Sequence, residues 1–91
     1  MIKIGVGYET DPDRVRDILT DIANAHPQVV QTPPPAAFLV AFGETALEFE
    51  LRCVVAEVEK GLSVRSDLHY AIIQKFREAG IGKFGPKPGD T

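Results

Sequence analysis

The segment LEFELRCVV, residues 47–55, puts Leu47, Phe49, Leu51, Cys53 and Val55 on alternate positions, with Glu48, Glu50 and Arg52 between them. Successive side chains of a strand point to opposite faces, so this stretch demands a sheet with one face in an apolar core and the other in water. Phe49, in the middle of the apolar row, is expected at the centre of that core. Ile2, Ile4, Val6 and Tyr8 alternate with Lys3, Gly5, Gly7 and Glu9 in the same period of two, and read as a second one-sided strand.

Helical spacing fills the gaps between the strands. TDPDRV is a helix start: Thr10 or Asp11 can cap, Pro12 fits the first position, where no N–H is needed, and Asp13 complements the positive end of the dipole. Val15, Ile18, Leu19, Ile22 and Ala23 then form one stripe that stops before His26-Pro27. A loop runs from Gln28 to Pro35. AAFLVAF follows as a strand apolar on both faces, and Gly43-Glu44-Thr45 turns the chain into the segment described first. A second helix is expected over about 63–79, with Val64, Leu68, Ala71, Ile72, Phe76 and Ala79 on one stripe and Gly80 suited to the left-handed position that ends it. Residues 81–84 are expected to form a short fourth strand. The order β-α-β-β-α-β predicts an α+β fold, the ferredoxin-like two-layer sandwich, with an antiparallel or mixed sheet, both helices on one face, and the first and third strands at the centre. The domain is placed at residues 1–84, with 85–91 a flexible C-terminal tail.

Ninety-one residues with 44% hydrophobic content suffice for one such core and not for two. Ten Lys and Arg against thirteen Asp and Glu give a net charge of -3, so nothing draws the chain to nucleic acid or to an anionic membrane. Glu48 and Glu50 also occupy the row where an RNA-binding sheet needs aromatic and basic side chains. Cys53 is the one cysteine, which precludes an internal disulfide or a multi-cysteine zinc site and fits a reducing compartment. The opening MIKIGVGYE has no signal-peptide character, and no apolar run approaches the ~20 residues that span a bilayer, so the chain is expected to be soluble.

Little in the sequence points to chemistry. Gly5 and Gly7 stand where the first two glycines of a dinucleotide-binding turn would, but Thr10 replaces the third, and Glu9, Asp11 and Asp13 surround the helix end that a pyrophosphate would need. Ser66 and His69 are helical neighbours, yet Asp67 points away from that imidazole, and all three read as a solvated face. His26 reads as a residue closing a helix C-terminus. Glu48 and Glu50 share a face, but Arg52 continues their row, which suits a solvated or subunit-facing charge row better than acid–base work. Cys53 reads as core packing. No catalytic, cofactor-binding or metal-binding residue is assigned. Pro33, Pro34 and Pro35 carry no N–H, and no flanking base orients them as a polyproline ligand; they read as a rigid approach to an edge strand, where lost donors are tolerated and edge pairing is discouraged.

Three blocks, VGYETDPDRVRDIL, HPQVVQTPPPAAFLVAFGETALEFELRCVV and VRSDLHYAIIQKFREAGI, resemble in order and spacing the C-terminal cytoplasmic α/β domain of the small-conductance mechanosensitive channel (MscS) family, from about Ile4 to Ile81. The resemblance implies a non-enzymatic, cofactor-free part of a tension-gated membrane channel. Such channels are homo-oligomers, typically heptamers, whose cytoplasmic domains form a hollow cage with side openings. Its partners would be other copies of the subunit, its contact with the cell membrane would run only through transmembrane helices absent here, and the domain itself would be cytoplasmic. Family members usually continue after AGI into a proline- and aromatic-containing strand that leads to a closing barrel; GKFGPKPGDT departs from that pattern. The alternative is a free-standing ferredoxin-like module that binds a small ligand or a protein on the wet face through Glu48, Glu50 and Arg52. An enzyme is not expected, because nucleophile, base and oxyanion donors never converge.

Overall fold

The computed structural model describes residues 2–86. Strands β1 (Ile2–Val6), β2 (Ala36–Phe42), β3 (Leu47–Arg52) and β4 (Phe84–Pro86) form one sheet in the order β2-β3-β1-β4, and every neighbouring pair is antiparallel. Helices α1 (Pro12–Ala25) and α2 (Gly61–Glu78) cover one face. This is the expected α+β architecture of ferredoxin-like topology, with the two strands of cleanest alternation at the centre. Val6, Val15, Leu19, Leu51 and Phe76 have no exposed surface and Phe49 almost none, so the core lies where β1, β3 and both helices meet.

Both ends of α1 follow from local chemistry. Asp11 Oδ1 accepts the Asp13 N–H at 3.0 Å, which settles the cap on Asp11 rather than Thr10, and Pro12 takes the first turn. At the other end the His26 N–H donates to the Ala23 carbonyl. The start of α2 carries no such signal: a 3₁₀ turn, Val58–Lys60, runs straight into it, so the helix begins at Gly61, ahead of the expected Ser63, with no side-chain cap at Lys60.

The end of α2 corrects the expected fourth strand. Gly80 takes φ +78°, its N–H donates to the Arg77 carbonyl, and the Ile81 N–H reaches back to the Phe76 carbonyl at 2.8 Å. These are the paired bonds of a Schellman ending, with Ile81 buried in the core. Ile81 is thereby committed to closing the helix, and ladder pairing with β1 begins only at Phe84, opposite Val6. The Phe84 ring meets Phe76 edge-on, with centroids 5.1 Å apart. Gly85 and Pro86 belong to this strand, and residues 87–91, the rest of the expected tail, lie outside the described residues.

Pro33 and Pro34 are exposed and Pro35 is buried, and all three precede the first ladder residue of β2, Ala36. β2 bonds to β3 on one side only. Beyond Arg52 the chain leaves the ladder, and Val55 makes an isolated bridge to Val29, supported by the Val30 N–H on the Val54 carbonyl at 2.9 Å.

Candidate functional site

The sheet face away from the helices is where a partner can approach, and β3 sets its chemistry. Register places Glu50 between Phe38 on β2 and Lys3 on β1. Arg52 Nε donates to Glu50 Oε1 at 2.6 Å, and the guanidinium lies over the Phe38 ring, 5.1 Å from its centroid. Glu50 is therefore 8% exposed, which corrects the expectation of a wet residue. The alternation holds, but a cross-strand aromatic and a folded-back arginine cover the carboxylate on the nominally open face. Glu48 is half-buried. The row Glu48, Glu50, Arg52 thus presents one exposed guanidinium rather than a pair of carboxylates, and it forms neither an acid–base pair nor the free charge row that the ligand-binding alternative relied on.

β2 borders this face with Phe38 and exposes further apolar side chains along its edge. Phe38, Leu39 and Val40 are between 40% and 46% exposed and Phe42 is 78% exposed. A bulge contributes to this exposure: Leu39 pairs with Phe49 and Ala41 with Glu48, so Val40 is the extra residue and the strand changes phase there. The hairpin that follows is tight. The Gly43 N–H donates to the Ala46 carbonyl, the Tyr8 hydroxyl donates to the Gly43 carbonyl, and a Cβ on Gly43 would stand 2.8 Å from the Ala46 carbonyl oxygen.

The glycine turn after β1 is filled from within. A Cβ on Gly7 would lie 2.5 Å from Glu9 Oε1, so the glycine makes room for that carboxylate, which holds negative charge where a phosphate would have to bind. Gly5 sits opposite Glu48 and Gly85 in the ladder, with Ala46 Cβ 3.3 Å from its own Cβ position.

The structure pairs two residues the sequence kept apart. The Gln28 N–H donates to His26 Nδ1 at 3.0 Å, which leaves the proton of the neutral ring on Nε2, and Nε2 lies 2.9 Å from Asp67 Oδ2. His26 therefore ties α1 to α2 besides ending α1. Forty-one positions separate it from Asp67, and no local pattern announces the contact. Ser66 and His69 are both exposed. Cys53 is half-buried and packs against the edge of the core. Among the described residues no three acidic, histidine or cysteine side chains are grouped to hold a metal ion, and no helix is long and apolar enough to cross a membrane.

Comparison with known proteins places this arrangement. Residues 1–82 match the family described as Mechanosensitive ion channel MscS, C-terminal. The chain is 41% identical over 58 residues to the Mechanosensitive channel MscK of Escherichia coli K12, a match covering 64% of this chain and 5% of that protein. It is 33% identical over 81 residues to an uncharacterized MscS family protein of Haemophilus influenzae, covering 89% of this chain and 7% of that one. The chain thus spans less than a tenth of the length of these two relatives, and the family match over residues 1–82 takes in the capped start of α1, the proline approach to β2 and the β2–β3 hairpin. It belongs to the MscS mechanosensitive channel family, of which it is the C-terminal domain.

Proposed function

We propose that this domain is an assembly element of a homo-oligomeric channel opened by membrane tension, standing on the cytoplasmic side of the cell membrane as part of a hollow cage through whose side openings solutes pass. The bare apolar edge of β2 carries the reading. Phe38 on the open face, Leu39 and Phe42 on the other face and the bulged Val40 between them leave this edge strand apolar and exposed, which a domain standing alone in water would have reason to blunt with charge. Pro33–Pro35 limit the strand at one end, so the exposed edge is confined rather than open-ended. The family to which the domain belongs is non-enzymatic. On this reading tension reaches the domain through other segments of the full-length channel.

The test grafts residues 2–86 into the Escherichia coli MscK channel in place of the segment they match. A chimera that purifies as an oligomer and gives tension-gated currents in excised patches supports the proposal. A chimera that inserts in the membrane but stays monomeric, or is silent up to patch rupture, refutes it.

A further inference from the structure

His26 meets a different partner with each ring nitrogen. Nδ1 accepts the Gln28 N–H at 3.0 Å, and Nε2 lies 2.9 Å from Asp67 Oδ2, with the histidine side chain 14% exposed. These two contacts respond differently to a proton. A neutral ring with its hydrogen on Nε2 satisfies both. A protonated ring carries a hydrogen on each nitrogen and accepts nothing, so it keeps Asp67, then as an ion pair, and must give up the Gln28 N–H.

The surroundings tolerate charge on the ring. On α2 Asp67 is the carboxylate in contact; Ser63, Val64, Tyr70 and Ala71, one turn to either side of it, are uncharged, and Arg65 and His69, two positions away, lie around the helix from it. α1 has no basic residue in its last turn, so its final carbonyls turn the negative end of the helix dipole toward residue 26, and Asp21, the nearest charged residue in that helix, is exposed. Val54, Val55 and Ala56 are uncharged, and Glu57 beyond them pairs with Lys60. Of the two hydrogen-bond partners of the ring, only the Gln28 N–H is incompatible with a charged imidazole.

Gln28 passes the change on. Its carbonyl accepts the Ala56 N–H at 2.9 Å, the Val30 N–H donates to the Val54 carbonyl at 2.9 Å, and Val29, buried, bridges Val55 between them. These bonds clasp residues 28–30 to the stretch that leaves β3 and enters α2 through the 3₁₀ turn. An N–H that loses its acceptor must find water, and the chain at 27–28 has to shift to reach it. We infer that His26 is a proton-operated latch on this clasp: the neutral ring holds Gln28 and keeps 28–30 closed on 54–56, whereas the protonated ring holds Asp67 alone and lets the clasp loosen while α1 and α2 stay tied. The latch works within a single copy of the domain and needs no neighbouring subunit.

The experiment follows the nitrogen-15-labelled chain by NMR: imidazole nitrogen shifts report which ring nitrogens carry a proton, and hydrogen exchange, corrected for its intrinsic pH dependence, reports amide protection. Between about pH 8 and about pH 5, limits that bracket the usual histidine value of about 6.5, the Gln28 amide should lose about tenfold in protection, the loss of one hydrogen bond. Val30 and Ala56 should lose less, and Ile22 and Ile72 within the helices nothing. His26→Asn sets a side-chain oxygen that does not titrate two residues before the same N–H, and should hold Gln28 protection constant over that range. Unchanged protection at Gln28 while the ring titrates, a ring still neutral at the acid limit, or an equal loss in His26→Asn would overturn the latch.

Discussion

Removing the guanidinium of Arg52 tests how dry the open face is around Glu50. In Arg52→Ala the Glu50 side chain, 11% exposed, loses a donor at 2.6 Å, while Phe38 on β2 continues to cover it. A buried acceptor left unsatisfied costs about 1–3 kcal/mol. Loss of the cation over Phe38 adds about 0.5–1 kcal/mol. The Arg52 side chain is 58% exposed, so solvent screens part of the attraction and the lower half of each range applies. The total is about 2 kcal/mol, or roughly 8–16 °C in Tm for a domain of this size. Glu50→Ala costs less, because it removes the buried charge together with its need for a partner and leaves Arg52 free in water. Urea unfolding of wild type, both single variants and the double variant gives the coupling, expected at about 1–2 kcal/mol. Additivity within about 0.3 kcal/mol would mean that Glu50 exchanges Arg52 for water freely, and the account of a covered carboxylate would be wrong.

Other perturbations probe separate parts of the fold. Phe49→Ala should cost about 3–5 kcal/mol in urea unfolding, since the ring is 2% exposed; a loss under about 1 kcal/mol would contradict its place at the core centre. Asp11→Ala should cost about 1 kcal/mol while Asp11→Asn costs little, because asparagine keeps an oxygen for the Asp13 N–H; equal losses would refute the capping role. His26→Ala should cost about 1–2 kcal/mol and speed hydrogen exchange at the Gln28 amide. Unchanged exchange there would rule out Nδ1 as its acceptor. Gly43→Ala should lose about 1–3 kcal/mol through the clash with the Ala46 carbonyl, against a neutral result if the hairpin can open.

The elements legible in the sequence are those whose signals are local. The stripe Val15, Ile18, Leu19, Ile22 and Ala23 between Asp11-Pro12 and His26-Pro27 defines α1 by periodicity and by both caps, and the structure agrees at each end. The alternation of β1 and β3 names the central pair because only a strand flanked on both sides needs so consistent a buried face. Legibility stops where a residue's role depends on a distant one. Ile81 looked like a strand residue because its N–H bond to Phe76 depends on how the helix ends. Glu50 looked wet because its cover, Phe38, arrives only through the β2–β3 register. The His26–Asp67 bridge depends on the packing of α1 against α2, and the bulge at Val40 on a phase change within an all-apolar strand, where alternation gives no marker. The family resemblance carried by three ordered blocks holds, because those blocks are local in sequence.

The β1–β4 register also governs how the domain would respond to a pull. Ile4 lies opposite Pro86 and Val6 opposite Phe84, so the first described residue and the last lie toward the same end of the sheet, on neighbouring antiparallel strands. Force drawn between those two ends acts on the nearest rungs first and opens them one at a time, like a zipper, instead of shearing all of them together. Among the described residues three pairs hold β4 to β1, whereas five join β1 to β3. A modest pull would strip β4 and draw Phe84 away from Phe76, with the β1–β3–β2 sheet and α1 left standing. In a family of channels that answer to tension, the shortest strand is also the part of this fold that yields first.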